Sequence, residues 1–99
     1  MDKELIALFF SMDHDPNELI ETFNKKQLLD FYINGCELRL RMEYRLKDFN
    51  KFHQETGITL GNLILNKYNL AKQLNVLRIC LEKLGVKGIE EDEYIMLNN

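Results

Sequence analysis

The sequence predicts an all-α protein in which two short N-terminal helices pack on a long antiparallel helical hairpin. Three observations carry that prediction. Leu28, Phe31, Gly35, Leu38, Met42, Arg45, Phe49 and Phe52 recur at heptad a/d spacing, and six of these eight positions are large and apolar. Leu60, Leu63, Lys67, Leu70, Leu74, Leu77, Leu81 and Leu84 repeat the spacing. The seams 28–52 and 60–84 are equal in length and are joined by the turn-like stretch His53-Gln54-Glu55-Thr56-Gly57-Ile58-Thr59, which suits a hairpin of two helices.

The elements follow in order along a single domain of 99 residues. Residues 3–12 are strong helix formers with apolar side chains on most of the wheel. Asp13-His14-Asp15-Pro16 breaks the chain. Asp15 is a good N-cap and Pro16 suits the first helical position, so a short helix over 16–23 follows, burying Leu19, Ile20 and Phe23. One long helix is expected over 25–56. Gly35 inside it carries a penalty of about 1 kcal/mol. Gly57 then serves as a C′ residue and Thr59 as the next N-cap, and a second long helix over 60–84 stops at Gly85. Residues 86–99 form a connector and an acidic tail, in which Tyr94-Ile95-Met96-Leu97 can dock on the core or on a partner.

The rival fold is α+β, with a β-hairpin at 27–47. Asn34-Gly35 is a favoured two-residue turn, and twelve residues from Cys36 to Lys47 alternate strictly after it. That register sets Asp30 opposite Arg39 and Lys26 opposite Glu43, both favourable pairs. The alternating run, however, contains no Val, Ile or Thr and is built largely from helix formers.

Composition narrows the classes further. Apolar residues make up 45% and charged residues 29%, with one Pro and no Trp, which is globular rather than disordered or fibrous. The longest apolar run, Leu5 to Phe10, has six residues against the roughly 20 of a membrane span, so no membrane association is expected. Met1-Asp2-Lys3-Glu4 has no basic start, and Cys36 and Cys80 form no C-x-x-C pair. Reduced thiols in the cytoplasm are expected. The net charge of −3 divides into −5 over 1–24, +2 over 25–57, +4 over 58–88 and −4 over 89–99. Acidic ends folding back on a basic middle account for that pattern.

No motif points to catalysis, and neither a cofactor nor a metal is expected. Asp13-His14-Asp15-Pro16-Asn17 begins like a calcium loop, but Glu18 replaces the required glycine and Asn24 the bidentate acid. His14 and His53 belong to no H-x-x-x-H or Cys/His cluster. Cys36 and Cys80 sit among apolar residues as small hydrophobes. Leu70-Ala71-Lys72-Gln73-Leu74-Asn75-Val76 fits a helix-turn-helix over about 67–86, with Asn75 at the turn. Its recognition helix would open on the apolar Leu77-Arg78-Ile79, and a pI near 5.4 argues against dedicated nucleic-acid binding.

In size, Lys/Asn/Ile usage and lack of a catalytic motif, the chain resembles the small helical regulators and inhibitors that phages and mobile elements encode. The expected function is therefore to bind another protein as regulator, inhibitor or complex subunit, with helix-turn-helix DNA binding as the alternative. The two seams place Arg45 opposite Lys67, two cations that must snorkel outward or share a carboxylate such as Glu18 or Glu21. Arg45, Lys67, Arg78 and Lys83 are the candidate partner contacts. A second apolar stripe, including Leu29, Ile33, Leu40, Ile64 and Tyr68, predicts a homodimer closed as a four-helix bundle. Far-UV circular dichroism separates the folds: a helical spectrum is expected, and helix content well under half would favour the β-hairpin.

Overall fold

The computed structural model describes residues 2–86 and is all-α, with no strand among them. Its helices are α1 (Lys3–Ser11), α2 (Pro16–Thr22), α3 (Lys25–Lys47), α4 (Phe49–Thr56) and α5 (Leu60–Lys83). The β-hairpin alternative at 27–47 is thereby corrected. Asn34 makes no turn; its Nδ2 donates to the Asp30 carbonyl at 2.7 Å, one helical turn back. The expected tail contacts of Tyr94 to Leu97 lie outside the described residues.

Four of the five helices start where a side chain caps them, and α4 begins after Asp48 without a side-chain cap. The carboxylates of Asp2 and Asp15 accept from the amides of Glu4 and Asn17, and the Thr59 hydroxyl accepts from Asn62. Pro16 occupies the first turn of α2, as its fixed φ favours. Asn24 and Gln27 close a reciprocal capping box at 2.9 and 3.0 Å, which starts α3. At the hairpin tip Gly57 takes φ +72°, and His53 Nδ1 donates to the Ile58 carbonyl at 2.9 Å.

The single helix expected over 25–56 is broken at Asp48, where φ −125° and ψ 58° leave the helical region. A seam with a 3.5-residue repeat drifts by about 20° per heptad on a straight helix. Over the three heptads from Leu28 that drift carries Phe52 well off the α5 side. Asp is a poor helix-interior residue, and the break there re-aims α4 so that Phe52 is buried.

α3 and α5 pack along each other as the hairpin, and α1 and α2 pack on them. The α5 seam is confirmed from Leu63 to Leu81: Leu63, Leu70, Leu74, Leu77 and Leu81 are all buried, whereas Leu60 is exposed. On α3, Leu28, Phe31 and Gly35 are buried and Leu38 and Met42 half-buried. An aromatic layer ties the N-terminal helices to this core. The Phe9 ring stacks on Phe31 at 4.1 Å and on His14 at 4.1 Å, while Phe23 meets Phe31 edge-on at 5.3 Å. His14 Nε2 also donates to the Phe9 carbonyl at 2.7 Å, which folds the α1–α2 linker back on α1.

Gly35 is the close-contact point of the fold. A Cβ built there would lie 2.7 Å from Leu74 Cδ2 and would overlap the Phe10 ring, including its Cε1 at 3.0 Å. The glycine costs helix propensity and in return lets α1 approach α3. Substituting Gly35→Ala is therefore expected to destabilise the protein by about 1–3 kcal/mol in urea denaturation, despite alanine's better helix propensity.

Candidate functional site

Where α1 crosses α3 and α5 the surface opens into a groove of about 440 Å³. Its floor is apolar, formed by Ala7, Phe10, Leu38, Met42 and Leu70, and Asn66 and Asn69 of α5 line one edge. A smaller hollow of about 180 Å³ continues it between α1 and α3, adding Lys3 and Arg41. A third hollow of about 390 Å³ lies at the hairpin tip, between Tyr44, Asp48 and Phe52. Arg45 borders all three.

The local sequence explains that placement. Arg41 and Arg45 stand one turn apart on α3, on the side of the helix that also carries Leu38 and Met42. The Arg45 guanidinium lies 5.2 Å from the centroid of the Phe52 ring, a cation–π contact that the break at Asp48 makes available. Among the described residues neither Arg41 nor Arg45 has a carboxylate within 4.0 Å, and no acidic side chain lines the groove or its smaller extension.

The other predicted contacts lie elsewhere. Lys67 pairs with Glu43 Oε1 at 3.5 Å, so the carboxylate beside it comes from α3 rather than from Glu18 or Glu21. Arg45 does snorkel outward, onto Phe52. Arg78 Nη2 donates to Asn75 Oδ1 at 2.6 Å, while its Nε is buried without a hydrogen-bond partner among the described residues. Lys83 is exposed in the last turn of α5. At 1.5 Å per residue Arg78 and Lys83 stand roughly 16 and 24 Å from Lys67 along the helix. The four cations do not form one patch. Lys3 was missed because only the packing of α1 brings it to Arg45, and no spacing in the sequence encodes that; the signal for Arg41 is its i, i+4 spacing from Arg45.

The helix-turn-helix expectation is corrected here. α5 runs unbroken from Leu60 to Lys83, and Asn75 is an interior helical residue whose side chain accepts from Arg78. The strong helix formers around Asn75 leave no reason for the chain to turn. Of the predicted dimer contacts, Leu29 packs against the core, Ile33 and Leu40 are half-buried, and Ile64 and Tyr68 are exposed.

Three acids of the N-terminal segment, Asp2, Asp13 and Asp15, have structural partners. Asp13 Oδ1 accepts from Lys72 Nζ and from Gln73 Nε2, both at 3.2 Å, which pins the α1–α2 linker to α5. Asp15 is spent on the cap of α2. Asp13-His14-Asp15 thus opens a capped helix, and among the described residues no three His, Cys, Asp or Glu side chains gather as a metal site. No helix there is long and apolar enough to cross a membrane. Neither a protein-family model, a curated protein nor a solved structure matches this chain.

Both cysteines are buried and neither is in a disulfide. Cys80 Sγ donates to the Pro16 carbonyl at 3.4 Å, and burial pushes its thiol up from the ordinary range, with Lys83 opposing and Asp15 adding to the effect. A thiol held protonated and enclosed is a poor nucleophile. A disulfide reagent at mildly alkaline pH should leave Cys80 unmodified in the native protein and react with it promptly in denaturant.

Proposed function

We propose that this chain is a non-catalytic binding protein that takes an acidic, amphipathic helix of a partner protein into the groove between α1, α3 and α5, and so acts as a regulator, inhibitor or complex subunit. The observation that carries the proposal is the apolar floor flanked by two arginines without carboxylate partners among the described residues. An amphipathic helix laid in a groove buries residues at i, i+3, i+4 and i+7 on one face. Its acids then meet the rim. Arg41 and Arg45 repeat at the spacing of two carboxylates one helical turn apart, so each planar guanidinium can engage one of them. Apolar burial supplies most of the affinity, while the rim arginines speed encounter and select acidic partners over basic ones. Thiols at Cys36 and Cys80 that form no disulfide suit a reducing cytoplasm. The likeness in size and composition to small phage-encoded regulators supports a regulatory or inhibitory role.

A fluorescent peptide built from Leu and Glu heptads tests the groove by anisotropy. Arg45→Glu is expected to weaken binding about tenfold or more, and added salt should weaken the wild type. Lys26→Glu, on an exposed position at the start of α3, should leave affinity within about twofold. Equal binding by all three proteins contradicts the proposal. A salt-sensitive DNA shift lost in Arg78→Glu, with no peptide binding, would assign the function to nucleic acid instead.

A further inference from the structure

We infer that two copies of this chain pair through the outward face of the first half of α5, with Tyr68 of each copy seated on Gly61 of the other. Gly61, Ile64, Leu65 and Tyr68 fall within an arc of roughly 100° on the helix, away from the side that buries Leu63, Leu70 and Leu74. The three side chains are unusually bare for their size. Ile64 is 52% exposed, Leu65 56% and Tyr68 67%, with Leu60 at 46% beside them. A contiguous apolar face of this kind marks an interaction surface more often than an isolated exposed residue does.

Gly61 distinguishes this face from ordinary surface. The glycine at position 35 admits the Phe10 ring, whereas a Cβ added at Gly61 meets nothing within 4 Å. Its φ is not positive either, so backbone geometry does not demand glycine there. Within its own chain the residue only weakens the first turn of α5. Against a second copy it is a notch.

The face is also complementary to itself. In an antiparallel pair with the twofold axis between Ile64 and Leu65, Ile64 of one copy lies opposite Leu65 of the other, and Gly61 lies opposite Tyr68. The largest exposed side chain thus meets the smallest residue, twice, as an isologous interface requires. Charge does not oppose the pairing. The lysines that flank the face are both neutralised within the chain, Lys67 by Glu43 at 3.5 Å and Lys72 by Asp13 at 3.2 Å. Exposures of that size on Leu60, Ile64, Leu65 and Tyr68 mean that two facing copies cover on the order of 1,000 Å², the lower bound for a specific interface. The dimer should accordingly be of micromolar strength. It leaves the α1–α3–α5 groove open, because that groove lies on a different side of α5.

Sedimentation equilibrium from about 5 to about 200 µM brackets a micromolar association. The expected result is a rise from 11.8 kDa toward twice that mass. Gly61→Leu fills the notch at a position where an added Cβ meets nothing within 4 Å of the monomer, and should weaken association about tenfold or more while circular dichroism stays unchanged. A paired substitution, Gly61→Cys with Tyr68→Cys, tests the register. Seven helical residues set the two positions roughly 10 Å apart, too far for a disulfide within one chain. Oxidation should therefore give a covalent dimer with the pair and none with either substitution alone. Three results would overturn the inference: a monomer at every concentration, a dimer indifferent to Gly61→Leu, or a dimer that Leu40→Glu dissociates and Gly61→Leu does not. Dissociation by Gly61→Leu without cross-linking of the pair would overturn the register.

Discussion

The fold depends on one contact, the Phe10 ring laid against the bare backbone of Gly35 and bounded by Leu74. Three helices meet there, and the absence of a single β-carbon sets how closely α1 approaches the hairpin. With α1 at that distance, Phe9 stacks between His14 and Phe31, and Phe23 closes the layer from the end of α2. Next to that contact Ala7 and Phe10 of α1, with Leu38 and Met42 of α3 and Leu70 of α5, line the groove, so the ring that seats on Gly35 also forms part of the groove floor.

Charge is distributed around that frame with a consistent outcome. The cations of α5 at positions 67 and 72 are each held by an acid from another part of the chain, Glu43 on α3 and Asp13 in the linker. Both pairs are partly exposed, so they add little to stability. Their effect is to offset the positive charge of α5 over 67–72, while Arg41 and Arg45 keep theirs beside the groove. Asp13 has a second role through Gln73, which is almost fully buried and would otherwise lack a partner for its amide nitrogen. The linker is therefore anchored both by a polar clamp and by the His14 stack.

Much of this architecture is legible in the residues. Asp15-Pro16, Gly57, Thr59 and Gly85 mark helix ends because capping and left-handed turns depend on local chemistry. The α5 seam is legible for the same reason, since leucine stands at every seam position but Lys67. The break at Asp48 is not. It answers the accumulated drift of a long seam, which no short window contains. Gly35 registers in the sequence only as a helix penalty, because its reason is a ring more than twenty residues upstream. The groove is hidden for a related cause: Lys3 reaches the Arg41–Arg45 pair only after α1 has packed on the hairpin. The cations of the two seams illustrate both limits. Of the two outcomes their seam positions left open, Arg45 takes the first and turns outward onto Phe52, while Lys67 takes the second and shares a carboxylate, which comes from Glu43 of α3 and not from the acidic N-terminal segment.

The most direct test of this account is a double-mutant cycle between Gly35→Ala and Phe10→Leu, followed by urea denaturation. Phe10→Leu removes the ring atoms that a Cβ at position 35 would strike, and the Leu74 methyl at the end of a flexible side chain can then yield. If the Phe10–Gly35 contact sets the fold, Gly35→Ala should be destabilising in the wild type and close to neutral with Phe10→Leu, a coupling energy above about 1 kcal/mol. Additive effects within about 0.5 kcal/mol would show that the two residues do not constrain one another, and the account would be wrong at its base.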